Sequence, residues 1–161
     1  MPRLFCFYKK ASLTVTSPHQ RLLLLCHIFL YFTPEHSKQN MNALVCEDDE
    51  IVMKVIQVAL DLEGINGTYV KDGRKAMELL QHDSHFDIII TDIHMPYYNG
   101  DDILKLVRED QKKNIPIIMI SSDSEEEVIA LALKLGVDEF ISKPADPKKL
   151  RKVIRKHITK R

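Results

Sequence analysis

The sequence lacks net charge, a cysteine framework and a membrane-length apolar run, and each absence removes a class of function. Lys and Arg together number 23, matched by 23 Asp and Glu, so no global electrostatic case exists for nucleic acid or a membrane surface. Cys6, Cys26 and Cys46 are odd in number and widely spaced, which gives neither a disulfide framework nor a metal knuckle. Cys46 sits inside an apolar run and reads as a small buried hydrophobe. Reduced, cytoplasmic conditions are the default. The apolar stretch from Leu22 to Phe32 is short of the roughly 20 residues a spanning helix needs. Thr33-Pro34-Glu35-His36 comes directly after it without the small-residue site that a signal peptide would present.

What is there divides unevenly. Residues 1–40 carry Arg3, Lys9, Lys10, Arg21 and Lys38 against the single acid Glu35, and the remainder has 18 basic against 22 acidic residues. Residues 1–40 also lack the periodicity of the chain beyond Met41. They are expected to be an N-terminal extension, disordered or non-native, with Met41 standing where a natural start would lie. Residues 41–161 are then the functional unit, of a size for one domain. The composition, 45% hydrophobic and 29% charged, suits a chain that buries a core.

From Met41 onward, strand and helix signals alternate. Strands are expected at Ala43–Cys46, Gly67–Val70, Phe86–Thr91, Ile115–Ile120 and Asp138–Ser142, the third being a β-branched run suited to the sheet centre. Helical periodicity succeeds each. Ile51, Val55, Val58 and Leu62 predict the buried face of the first helix, stopped by Gly64. Ala76, Leu79 and Leu80 mark the second, Ile103, Leu104 and Val107 the third. Val128, Leu131, Ala132 and Leu135 mark the fourth, ended by Gly136, and Leu150, Val153, Ile154, His157 and Ile158 the last. Five βα units with apolar strands imply an α/β fold, a parallel sheet covered on both faces, with right-handed crossovers. The weakly apolar second strand belongs at an edge.

In such a sheet the C-terminal ends of the strands share one rim, where ligands bind. The residues delivered there are Glu47, Asp48 and Asp49 after the first strand, Asp92 after the third, Ser121 and Ser122 after the fourth, and Lys143 after the fifth. Acids, a hydroxyl and an amine converging on one rim fit phosphoryl transfer. A carboxylate can attack phosphorus and form an acyl phosphate. Neighbouring carboxylates would repel the phosphate unless a divalent cation intervened, and Mg²⁺ favours oxygen ligands of this kind. Lys143 offers a compact positive charge and Ser121 a hydroxyl donor, in a chemistry that is mostly positioning and charge neutralisation.

These residues resemble the response regulator receiver domain of two-component signalling. The resemblance rests on Leu44-Val45-Cys46-Glu47-Asp48, Thr91-Asp92-Ile93-His94-Met95-Pro96 with Gly100, Ser121 closing the fourth strand, and Lys143-Pro144. It spans essentially all of 41–161, in order. It implies a flavodoxin-like doubly wound (βα)5 fold with strand order 2-1-3-4-5. It makes Asp92 the phosphoacceptor, Asp48 a direct Mg²⁺ ligand, Glu47 an acid acting mostly through water, and the His94 backbone carbonyl a further ligand. Ser121 would be the switch hydroxyl, Phe140 the rotating aromatic and Lys143 the phosphate-contacting lysine, joined by a cis peptide to Pro144. Phe140 stands where tyrosine is frequent and offers no phenol hydroxyl. His94 and Asp123, two positions beyond acceptor and switch, occupy places that tune dephosphorylation in the family.

The expectation is a phosphoacceptor signalling protein rather than an enzyme. As a single-domain response regulator, it would be loaded by a histidine kinase or histidine phosphotransfer protein. With few residues left after the last helix, its output would be binding to a downstream protein or phosphate relay, without direct nucleic-acid or membrane contact. Rival readings are a degenerate receiver serving as a binding module and a metal-dependent aspartyl phosphatase. The haloacid dehalogenase type of the latter has Asp-x-Asp, whereas His94 stands at the second position here. Plainer roles also fit these residues: Glu47-Asp48-Asp49, and Asp49 in particular, as acids at a helix N-terminus favourable to its dipole, Asp92 as a turn cap, Lys143 as a solvated lysine, Phe140 as core and His94 as solvent-exposed. Glu125 to Glu127 reads as a solvated first turn, and Arg151 to Arg161 as a basic helix face and tail.

Overall fold

In the computed structural model the described residues are 41–82, 85–123 and 125–158. The expectation for residues 1–40 lies outside them. Strands β1 (Asn42–Cys46), β2 (Asn66–Val70), β3 (Ile88–Asp92), β4 (Ile117–Ser121) and β5 (Glu139–Ser142) alternate with helices α1 (Glu50–Glu63), α2 (Gly73–Gln81), α3 (Gly100–Lys105), α4 (Glu126–Leu135) and α5 (Pro147–Ile158). A π-helical turn, Leu106–Asp110, continues α3. The strands form one sheet in the order β2-β1-β3-β4-β5, and every pairing is parallel. The flavodoxin-like topology is therefore present, with β2 at an edge and β3 at the centre. Strand bounds differ from the sequence expectation by a residue or two, as ladder ends usually do.

Alternation along the strands sends successive side chains to opposite faces. Leu44, Ile89, Ile117 and Met119 join Ala76 and Leu80 of α2, Ile103 and Leu104 of α3 and Ala132 of α4 in one core layer. Ala43, Val45, Ile88, Ile90, Ile118, Ile120 and Ile141 join Ile56, Ala59 and Leu60 of α1 and Leu150 and Ile154 of α5 in the other.

Two helices are turned differently from expectation. On α1 the core face is Ile56, Ala59 and Leu60, while Ile51 is 77% exposed and Leu62 59%. On α4 only Ala132 is buried, and Leu131 and Leu135 face outward. Both helices are apolar nearly all round, so periodicity offers two competing stripes. On α1 the stripe that wins carries the small Ala59, while on α4 the expected Val128 and Ala132 do meet the core and only Leu131 and Leu135 turn away.

Local chemistry explains the helix ends. The Asp49 carboxylate accepts from the N–H groups of Ile51 and Val52, capping α1. Gly64 closes the helix at φ 69°, a conformation that favours glycine. Asp72 caps α2 through the Lys75 N–H. At the far rim Arg108, from the π turn, donates to the carbonyls of Gly136, Lys113 and Ile115 and pairs with Asp138 at 2.9 Å. That guanidinium ties α3 to the beginnings of β4 and β5.

Candidate functional site

Parallel pairing places the ends of β1, β3, β4 and β5 side by side. Asp92 is opposite Ile120 in the β3–β4 register, so Ser121 lies one residue beyond it. The residue after β1, Glu47, is fully buried, as is Ser121, and Asp92 is only 6% exposed. Asp48 is exposed. Carboxylate oxygens of Glu47, Asp48 and Asp92 lie within 4.8 Å of one another. Lys143, immediately beyond β5, donates to Asp92 Oδ2 at 2.7 Å and to Glu47 Oε1 at 2.9 Å. Its N–H also bonds the Ser121 carbonyl at 2.7 Å, and the next peptide, to Pro144, is cis. Lys143 is thus not a solvated lysine: it is fastened to the rim by main chain and side chain together.

Burial and charge act in opposition here. Burial pushes the Glu47 carboxyl above its ordinary range, the negative charge of Asp92 adds to this, and Lys143 works against both. For Lys143 burial disfavours the charge, but its bonds to Asp92 and Glu47 outweigh that and hold the ammonium above its ordinary value. Glu47 Oε2 is buried and has no hydrogen-bond partner among the described residues. An orphaned carboxylate oxygen inside a cluster of three acids is a donor in want of a cation. The donor set, all oxygen and partly buried, suits Mg²⁺ and not a soft metal.

The loop after β3 is held from beneath. A Cβ on Gly100 would lie 2.5 Å from the Asp92 carbonyl oxygen, and one on Gly73 2.0 Å from that of Tyr98. Both glycines therefore permit backbone contacts that no side chain would allow. The Gly100 N–H bonds the Ile93 carbonyl at 2.8 Å and the Gly73 N–H that of Pro96 at 3.0 Å. Tyr97, at φ 73°, carries the Arg74 guanidinium 3.8 Å above its ring, a cation–π contact that links this loop to α2.

Each remaining sequence candidate has a definite place. His94 is exposed, and its N–H reaches Asp92 Oδ1 at 3.3 Å. Its imidazole Nε2 is 2.7 Å from Asp123 Oδ2, and that carboxylate raises the His94 pKa. Ser121 Oγ accepts from the Asp123 N–H at 3.1 Å. Phe140 is half-buried against the core layer shared with α2, α3 and α4, beside Met119 in register. Glu125 to Glu127 are exposed. In the basic last helix, Arg151 and Arg155 both bond Glu63 of α1, and Lys156 and His157 meet Glu139. Sequence reading missed the closeness of Gly73 and Gly100, the stitching by Arg108 and the pairing of His94 with Asp123. Only the glycines left a signal, as isolated small residues in punctuated loops.

The chain is similar in sequence and fold to known proteins. The family model for the response regulator receiver domain matches residues 43–155. The response regulator SaeR of Staphylococcus aureus is 34% identical over 109 residues, covering 68% of this chain and 46% of that protein. The chain thus spans about half the length of the curated relatives it matches. Among solved structures, the receiver domain of Francisella response regulator 1452 is 30% identical with TM-score 0.69, covering 74% of this chain and 98% of that one. The chemotaxis response regulator CheY4 of Vibrio cholerae is 27% identical with TM-score 0.65, covering 72% and 97%. The receiver domain family that the match over residues 43–155 defines is a phosphoacceptor signalling module. This chain belongs to the response regulator receiver domain family of two-component signalling.

Proposed function

We propose that Asp92 accepts a phosphoryl group from the phosphohistidine of a histidine kinase or phosphotransfer protein. The observation that carries this reading is the Lys143 ammonium, 2.7 Å from Asp92 and 2.9 Å from Glu47, on a nearly buried carboxylate at the end of the central strand. An Asp92 carboxylate oxygen attacks phosphorus, the P–N bond to the donor histidine breaks, and the imidazole leaves with its electron pair and takes up a proton. The product is an acyl phosphate on Asp92. Lys143, already in contact with the Asp92 carboxylate, neutralises the incoming charge. Ser121 supplies a hydroxyl donor, and Phe140 is the side chain that follows the rearrangement of β4, α4 and β5.

The acids fit Mg²⁺: Asp48 and Asp92 would be ligands, Glu47 would act largely through water, and the His94 carbonyl would complete the protein's share. When bound, the ion offsets repulsion between the phosphate and the carboxylates. Residues 41–161 are the unit that does this, and residues 1–40 are an extension outside it. The protein is a cytoplasmic signalling protein and not an enzyme, and its output is a changed affinity for a downstream protein. Among the described residues no helix is long and apolar enough to cross a membrane.

The test is phosphorylation of the chain by phosphoramidate with Mg²⁺, read by intact mass. Wild type should gain one hydroxylamine-labile phosphoryl group and Asp92→Asn none. Undiminished labelling of Asp92→Asn would refute the assignment.

A further inference from the structure

Three contacts form a chain across the two loops that flank the acceptor. Asp92 Oδ1 accepts from the His94 N–H at 3.3 Å, and the His94 imidazole meets the Asp123 carboxylate at 2.7 Å. The Asp123 N–H then donates to Ser121 Oγ at 3.1 Å. Acceptor and switch hydroxyl are thereby joined through two exposed side chains that lie 29 residues apart in sequence. The loop after β4 has no other side-chain tie of this kind to the loop after β3 among the described residues.

We propose that the His94–Asp123 pair is a latch that holds the β4–α4 loop, and with it Ser121, in the resting position. The proposal rests on Asp92 being the phosphoacceptor. If Ser121 turns toward a phosphoryl group on Asp92, its oxygen must leave the Asp123 N–H or carry Asp123 along. Where the Asp123 loop follows Ser121, the Asp123 carboxylate leaves the His94 ring, so the bond opposes that movement and with it activation. Both partners are half exposed or more, 65% and 50% for the two side chains. An exposed pair of this kind biases an equilibrium modestly, by about two- to five-fold. That suits a tunable catch better than a lock. His94 and Asp123 are positioning residues in this role, acting through Ser121 and not on phosphorus.

Beryllofluoride with Mg²⁺ mimics the acyl phosphate without hydrolysing, so its apparent affinity carries the conformational cost free of any effect on dephosphorylation. The full chain and its variants are titrated and followed by amide NMR shifts of Ser121 and α4. His94→Ala and Asp123→Ala should each bind about two- to five-fold more tightly than wild type. The double variant should gain no more than either single one, and His94→Gln, which keeps a donor at similar reach, should return toward wild type. Simple field effects give a different pattern: removing an acid strengthens anion binding, and removing a base weakens it. Opposite signs for the two alanine variants, or no change in either, would overturn the latch while leaving the acceptor assignment standing. A wild-type chain that does not bind beryllofluoride at all would overturn both.

Discussion

Gly100 shows how one residue without a side chain sets the position of a functional one. Its Cα sits against the backbone of Asp92, with the Asp92 carbonyl oxygen 2.5 Å and the Ile93 Cα 3.2 Å from where a methyl group would stand. These are main-chain atoms of the central strand's end, and they have no rotamer by which to yield. Gly100→Ala should therefore lower stability by about 1–3 kcal/mol, the usual cost of overpacking. It should also reduce phosphorylation, because the strain falls on Asp92. Urea denaturation and mass-resolved labelling check the two effects, and a variant with wild-type stability would show that the loop after β3 gives way freely. Lys143 presents the complementary case at the same scale, where a buried charge is tolerated because two carboxylates face it.

At the scale of elements, α1 shows that an apolar stripe does not announce which way it points. Ile51, Val55, Val58 and Leu62 keep helical spacing, and so do Val52, Ile56, Ala59 and Glu63. The second set, with Leu60, meets the sheet and α5. Substitution distinguishes the two faces sharply. Ile56→Ala, at a position 1% exposed, should cost about 2–5 kcal/mol. Ile51→Ala should stay within about 0.5 kcal/mol of wild type. Chemical denaturation midpoints decide the matter, and equal losses at both positions would refute this orientation. Strands were the more legible elements. Runs such as Ile88-Ile89-Ile90 and Ile117-Ile118-Met119-Ile120 are buried on both faces, which is what parallel strands covered by helices require. The same continuity blurred their ends, since an apolar residue just before a strand looks like the strand itself.

At the scale of the molecule, α1 and α5 are joined on one face of the sheet by Glu63, which accepts from Arg151 at 2.8 Å and Arg155 at 2.6 Å. The bond from Arg155 is the leading cause holding the Glu63 carboxyl below its ordinary 4.5; burial opposes it, and the bond from Arg151 adds to the lowering. A carboxyl depressed on folding binds its proton more readily in the unfolded chain. Its stabilisation is therefore fully present above pH 4.5 and fades as pH falls through the lower folded value. The melting temperature of Glu63→Gln should lie below that of wild type at neutral pH, and the gap should close on acidification below pH 4.5. A gap independent of pH would place the effect in packing alone.

What the sequence determined by itself was the order of βα units and the identity of the groups at the strand ends. Parallel strands all point one way, so Glu47, Asp48, Asp92, Ser121 and Lys143 had to share a rim once the strands were recognised. The tertiary structure alone decided how those groups meet. It set Lys143 between Glu47 and Asp92, turned α1 and α4 to present one of two possible stripes, and brought His94 to Asp123. Such choices depend on packing between elements distant in the chain, where the closeness of approach permitted by Ala59 and Gly100 selects among arrangements that local periodicity leaves equal.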